Sequence, residues 1–345
     1  MEDRTELNTL GEFGLIERIA SQQSFTHPLT VQGIGDDAAV IDGGKEYLLV
    51  STELLAEGVH FDLSYVPLKH LGYKAVVAGI SDILAMNGTP RQLTVGIAVS
   101  NRFSIEAIDT LYAGIYAACK EYEVELVGGD TTSSRAGLVL SVTAIGGVEK
   151  SKIVYRKGAS AHDIICVSGD LGGAYLGLQV LEREKRVFLD DPENQPVLAG
   201  HEYVLERQLK PEARVDIIRQ LRDLGIVPTS MIDISDGLAS DLRQLAKASG
   251  LGVRVFEEQI PIHQKSYLTA TELKLGPFTA ALNGGEDYEL LFTIKQEDYQ
   301  KILDHTTDIS FIGFVSPDPE EALFITKQNE AIPLAAQGWE RTDTE

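Results

Sequence analysis

PLKHLGYKAVVAGISDILAM, residues 67–86, is the stretch on which the reading of this chain turns. It opens on a proline, which suits a helix start, and closes just before Asn87-Gly88, which suits a helix end. A helix over residues 67–86 follows. Leu71, Ala75, Ala78 and Asp82 recur at steps of three and four, so they share one face. That face is otherwise small and apolar, which turns Asp82 inward with the core. A carboxylate in such a place needs a basic partner or a metal ion, and the sequence leaves both open.

Working outward, residues 45–51 and 93–99 read as strands, 104–122 as a second helix and 138–148 as another strand. The strand–helix alternation makes a first α/β half. A polar stretch, 149–161, separates it from a second half that begins with a strand at 163–168. That strand runs into Gly169-Asp170-Leu171-Gly172-Gly173 and a helix over 174–185. Residues 186–200, with Asp190-Asp191-Pro192 and Pro196, read as an exposed loop. Helices are expected at 212–224 and 237–249, with a strand at 230–234 between them, and the last hundred residues alternate short strands with helices. The expectation is a two-domain α/β protein of the α+β type, divided as 1–150 and 151–345.

With 345 residues, 43% of them hydrophobic and 24% charged, the chain has ordinary globular composition and length for two cores. Its net charge of −22 argues against a nucleic-acid partner, which needs a positive field. No apolar run is long enough to span a bilayer, and the acidic start does not resemble a signal peptide. Cys119 and Cys166 sit in apolar surroundings and read as buried free thiols, which points to the cytoplasm. An acidic protein can still bind polyphosphates when metal cations intervene, so the carboxylates carry the functional question.

Gly33-Ile34-Gly35-Asp36-Asp37-Ala38 imitates a dinucleotide-binding turn, but its two aspartates would repel a pyrophosphate. Glycines beside paired carboxylates suit a hard cation better; an ordinary acidic turn is the alternative. Ser51-Thr52-Glu53 places three oxygen side chains at the expected end of a strand. Gly128-Gly129-Asp130-Thr131-Thr132 follows the apolar pair Leu126-Val127. In Asp233-Ile234-Ser235-Asp236-Gly237, either Ser235 or Asp236 alone could be a helix cap, while Asp233 is flanked by two isoleucines. Gly284-Gly285-Glu286-Asp287-Tyr288-Glu289 sets three acids around a tyrosine, before a strand at 290–294. The chain has no P-loop, no protein-kinase motif set, no Cys/His zinc cluster and no nucleophile elbow.

Taken in order, Gly33-Ile-Gly-Asp-Asp-Ala38, Ser51-Thr-Glu-Leu-Leu-Ala-Glu-Gly-Val-His-Phe61, Ser81-Asp-Ile-Leu-Ala-Met86, Gly128-Gly-Asp-Thr131, Ile232-Asp-Ile-Ser-Asp-Gly-Leu238 and Gly284-Gly-Glu-Asp-Tyr-Glu-Leu290 resemble the thiamine-monophosphate kinases. Gly11-Glu-Phe13 and Gly338-Trp339 extend the likeness towards both ends. The resemblance implies the fold of the aminoimidazole ribotide synthetase superfamily. In that fold the N-terminal domain pairs across a homodimer and the C-terminal domain closes over the nucleotide. It implies transfer of a phosphoryl group from ATP to thiamine monophosphate with several Mg2+ ions. By the same likeness Asp37, Ser51, Thr52, Glu53, Asp82, Asp130, Asp233 and Asp236 surround the magnesium. Tyr112, Gly129, Asp130, Arg156 and Ser235 contact ATP, and His60, Glu286 and Trp339 contact the thiamine phosphate. The family usually has aspartate where this chain has Glu53, so a longer arm reaches for the ion there.

The acceptor of that reaction is a phosphate monoester whose second pKa, about 6, leaves its oxygens anionic at neutral pH. No general base is assigned. The remaining difficulty is charge repulsion between two polyanions, which metal ions and Arg156 would offset. Trp339, the only tryptophan, offers an indole face to a cationic thiazolium. Two other readings stay open at this point. One is a relative of the same superfamily acting on another acceptor, such as formylglycinamidine ribotide, selenide or a maturation-protein thiocarboxylate. The other is a nucleotide- or metal-binding protein without turnover.

Overall fold

The computed structural model describes residues 11–335. A first helix, α1 (Gly11–Ala20), leads into a six-stranded sheet of β1 (Thr30–Gln32), β2 (Ala39–Asp42), β3 (Tyr47–Ala56), β4 (Thr89–Val99), β5 (Glu125–Ser133) and β6 (Val139–Val148). The strands lie in the order β1-β2-β3-β6-β4-β5, and only β4 and β5 run parallel. Two helices, α2 (Leu68–Ala85) and α3 (Ile105–Glu121), cover one face of it. They approach closely because a glycine stands at each crossing point. A Cβ on Gly72 would lie 2.1 Å from the Leu111 carbonyl oxygen, and one on Gly114 only 1.9 Å from that of Lys69. The other face is left open, and Leu54 there is 56% exposed.

The second sheet contains β7 (Ile164–Ser168), β8 (Ser230–Ile234), β9 (Gly252–Phe256), β10 (Glu289–Ile294), β11 (Ile309–Ser316), β12 (Ala322–Ile325) and β13 (Ala331–Pro333). Its order is β13-β12-β9-β11-β7-β10-β8, with β12 and β9 the one parallel pair among those described. Around it run α4 (Gly173–Asp190), α5 (Glu202–Leu209), α6 (Val215–Asp223), α7 (Leu238–Ser249), α8 (Gln264–Glu272), α9 (Pro277–Asn283) and α10 (Tyr299–Leu303). Predominantly antiparallel sheets with helices packed on them make this an α+β arrangement.

Side-chain alternation along the strands decides what the second sheet joins. Ile165, Val167 and Leu291 face a core shared with Leu238 and Leu242 of α7. Cys166, Met231 and Phe292 face the opposite way, into the same core as Leu71, Ile80 and Ile83 of α2. The two sheets therefore share one continuous apolar interior across α2. This explains why α2 is buried nearly all round, as a helix enclosed by protein on every side must be. Its end is set by Asn87, whose φ of 57° is the left-handed conformation that stops a helix.

Several expectations need correction. The strand expected at 45–51 continues to Ala56, because β6 pairs with it along its full length. Ser51-Thr52-Glu53 is therefore mid-strand, and alternation sends Thr52 to the face opposite Ser51 and Glu53. There its hydroxyl is 3.0 Å from that of Thr143. Gly128 to Thr132 lie inside β5, a strand that the glycines concealed. Helix α4 runs on to Asp190, which shortens the expected loop, and α5 follows it. Among the described residues no helix is long and apolar enough to cross a membrane.

Candidate active site

One cleft of about 1390 Å³ runs along α2 and is lined by both halves of the chain. Its floor is Leu71, Lys74, Ala78 and Asp82, a stripe at steps of three and four. The stripe differs from the expected one at a single member: Lys74 occupies the place given to Ala75, so the helix presents a base as well as an acid.

At one end three carboxylates converge from three elements. Asp37 comes from the turn before β2, Asp82 from α2 and Asp233 from β8, and an oxygen of each lies within 4.8 Å of the others. Like charges at that range repel by about 3 kcal/mol per pair at an effective dielectric of about 20. Hydroxyls relieve part of the strain. Ser51 Oγ donates to Asp82, and Ser81 Oγ donates to Asp233 Oδ2 at 2.6 Å. Arg156 supplies the cation on hand, with Nε 3.1 Å and a terminal nitrogen 2.8 Å from Asp37 Oδ1. It reaches there because residues 154–156 bridge the end of α2 and the edge of β8. Val154 N–H donates to Met86 O at 3.3 Å, and Met231 N–H donates to Tyr155 O at 3.0 Å.

One guanidinium cannot satisfy three acids. Asp37 Oδ2 is buried without a partner among the described residues. Burial, then the charges of Asp233, Glu53 and Asp37, push the Asp82 carboxyl well above its usual range. Burial and then Asp37 raise Asp233 to about 7. Burial and then Asp37 raise Asp36 to about 6. Such a cluster is unstable as anions and suits a hard divalent cation, whose charge reverses every one of these repulsions. The orphaned Asp37 oxygen and the all-oxygen donor set fit magnesium.

Glu53 lines the cleft on the Ser51 face and contributes to the shifts of Asp82 and Asp233, but it stands outside the tight triad. Ser235 and Asp236 line the cleft from the turn after β8. Asp241, not among the residues expected from the sequence, fixes that turn by accepting hydrogen bonds from Asp236 N–H and Gly237 N–H, each at 3.2 Å. Its signal was an acid in the first turn of a helix, which is too common to single out.

The far end has different chemistry. Glu286, at a φ of 57°, receives Lys74 Nζ at 3.0 Å and Gln208 Nε2 at 3.1 Å. Its N–H donates to Ser235 O at 2.7 Å, and a Cβ on Gly285 would meet that same oxygen at 2.5 Å. The glycine therefore lets the Glu286 turn lie directly on the Asp236 turn. His60 Nδ1 accepts from Ala56 N–H at 3.0 Å, which leaves the ring proton of a neutral His60 on Nε2. Lys185 bonds Asp62 at 2.5 Å, and Tyr65 O–H donates to Glu182 at 2.5 Å along the rim. Lys74, Gln208, Tyr65 and Lys185 carried no sequence signal, because each belongs to an unremarkable helix or loop.

The structure brings together Asp37, Ser51, Thr52, Glu53, Asp82, Arg156, Asp233, Ser235, Asp236, His60 and Glu286 in one cleft, although the Thr52 hydroxyl turns to Thr143. It does not bring Gly129 and Asp130, which lie in exposed β5, or Tyr112 on α3, to that cleft. Trp339 and Gly338 lie outside the described residues.

Comparison with known proteins places the chain in a family. Residues 35–148 match the family model of the AIR synthase related protein N-terminal domain, and residues 161–326 match that of the C-terminal domain. Thiamine-monophosphate kinase of Aquifex aeolicus is 34% identical over 87% of this chain and 91% of its own length. That of Bacillus subtilis is 33% identical over 96% and 99%. The solved structure of AaThiL complexed with AMPPCP and TMP superposes with a TM-score of 0.81 at 30% identity, covering 96% of this chain and 97% of that one. The hydrogenase maturation protein HypE, at 19% identity and a TM-score of 0.67, shares the fold.

Proposed function

This chain belongs to the thiamine-monophosphate kinases, and from that premise we propose how its cleft performs their reaction. The protein uses ATP to phosphorylate thiamine monophosphate, giving thiamine diphosphate and ADP. The observation that carries the site assignment is the triad of Asp37, Asp82 and Asp233, crowded within 4.8 Å and holding an orphaned oxygen.

Asp37, Asp82 and Asp233, with Ser51, Glu53 and Asp236 beside them, would hold magnesium at this end of the cleft. Thr52 could join them only through its main chain, since its hydroxyl is on the far face. Magnesium bound there supplies positive charge against the phosphates of both substrates. Arg156 is the one arginine among the residues lining the cleft, and it is placed to fork onto a phosphate. Ser235, on the turn held by Asp241, contacts the nucleotide. His60 and Glu286 orient the thiamine phosphate at the other end, and Trp339 is assigned there from the family likeness. No residue acts as a general base, because the attacking phosphate oxygen is already anionic.

Gly129, Asp130 and Tyr112 take part through a second copy of the chain. The open face of the first sheet is the surface offered for that homodimer, and β5 forms its edge. A cytoplasmic setting accords with the free, buried Cys119 and Cys166.

The test is ADP release from ATP by the whole chain. Release dependent on both thiamine monophosphate and magnesium, with one thiamine diphosphate formed per ADP, is expected. Release that ignores thiamine monophosphate would sink the assignment.

A further inference from the structure

Helix α2 lines the cleft floor from Leu71 to Asp82. Eight residues separate Lys74 from Asp82, a rise of about 12 Å at about 1.5 Å per residue. Asp82 belongs to the carboxylate end, so the main chain at Lys74 stands about that far along the helix from it, and its side chain makes a second polar station. There Lys74, only 5% exposed, holds Glu286 Oε1 at 3.0 Å and the main-chain oxygen of Gln208 at 3.1 Å. Gln208, 3% exposed, donates from Nε2 to Glu286 Oε2 at 3.1 Å.

A carboxylate accepts and does not donate, so the amide nitrogen must face Glu286 and the amide oxygen must face elsewhere. Among the described residues that oxygen, Oε1, is buried and meets no donor. A buried acceptor left unmet is costly, and this one belongs to a residue lining the cleft. The station thus holds acceptors from two side chains, Glu286 bonded to Lys74 and Gln208 bonded to Glu286, with one amide oxygen lacking a donor.

We propose that Gln208 is a specificity-determining residue whose Oε1 accepts a hydrogen bond from the exocyclic amino group of the substrate's aminopyrimidine ring. Lys74 acts as a positioning residue that holds Gln208 and Glu286 as one unit. The inference rests on the thiamine monophosphate reading and deepens it. It makes α2 a ruler, with the phosphate at the Asp82 end and the amine-bearing ring at the Lys74 end. Built this way, the site should reject a ring that carries an oxygen in place of the amine, because Gln208 and Glu286 would then face another acceptor.

The experiment compares kcat/KM for thiamine monophosphate with that for its analogue bearing oxygen in place of the ring amine. The wild-type chain and Gln208→Leu are measured with both. This substitution keeps the main-chain oxygen that Lys74 uses. Wild type should prefer the amine, and the variant should lose about 30-fold of that preference with KM for ATP unchanged. An equal loss on both acceptors would overturn the proposal. So would a wild-type chain that fails to distinguish them, a result that needs no variant to fold. No wild-type turnover of thiamine monophosphate would instead overturn the function reading, and this inference with it.

Discussion

Two groups of buried acids lie close together in this molecule and are treated in opposite ways. In the cleft, Asp37, Asp82 and Asp233 share one arginine. Just beyond it, Glu289 of β10 receives Arg207 at 3.0 Å, Arg214 at 2.5 Å and Ser168 Oγ at 2.5 Å. Its neighbour Asp287 accepts Gly172 N–H at 2.7 Å and Ala174 N–H at 3.3 Å, at the start of α4. In the second group two arginines meet Glu289 and main-chain N–H groups meet Asp287, so it holds elements in place, although burial still raises the Asp287 carboxyl to about 7. The first is under-compensated within the chain, with Asp37 Oδ2 left without a partner among the described residues. Burial alone does not distinguish a structural acid from a functional one; the local balance of charge does.

The strongest way to break the comparison is Asp82→Asn. Turnover should fall by about 10³-fold or more, since an interaction with developing charge is lost. The metal-free protein should melt no lower, because a repelled carboxylate has gone. Steady-state rates and thermal melts check both halves; a variant with near-normal turnover in saturating magnesium would end the metal assignment. Glu289→Gln should do the reverse. Removing one member of a buried ion pair costs about 3–5 kcal/mol, so denaturant unfolding should show a large loss. Turnover by whatever remains folded should change far less.

The pH dependence of the metal-free protein sharpens the contrast. Asp233 is raised to about 7 when folded, against an ordinary value of 3.8. The native state then binds more protons than the unfolded one between those values, so stability falls as pH rises from about 4 to about 7 and levels off above. Asp287, outside the cleft and also raised by burial to about 7, adds to that slope; magnesium should flatten only the part that comes from the cleft, by taking the place of its protons. Melts across this range with and without magnesium measure it; a slope that magnesium leaves unchanged would contradict the charge deficit. The smallest effect belongs to Thr52→Val. Its hydroxyl is on the far face, so loss of the Thr143 contact should cost about 1 kcal/mol and less than about threefold in turnover.

What was legible in the chain follows from distance along it. The helix of residues 67–86 announces itself by period and by its ends, and Asp82 faces inward for the same reason. Of the strand through Glu53 only the first part is legible in the sequence, and the strand through Asp130 is not legible at all. Glycine, aspartate and glutamate weaken a strand pattern locally, while the pairing that restores it comes from β6 and β4, far along the chain. Lys74 was invisible as a site residue, because its partners Gln208 and Glu286 are contributed by elements remote in sequence.

The motif Gly284-Gly-Glu-Asp-Tyr-Glu289 shows the division most clearly. Its residues alone establish a tight acidic turn before a strand, because glycine and acid type act over a few neighbouring bonds. Only the tertiary structure separates its three acids: Glu286 goes to Lys74 in the cleft, Asp287 to the start of α4, and Glu289 to two arginines. The original stretch divides the same way. Periodicity determined that Asp82 points inward; folding decided that it meets Asp37, Asp233 and Ser51 instead of a lysine or arginine. Local geometry is written in neighbouring residues, whereas the balance of charge at a point in space is summed over segments that the chain brings together only when it folds.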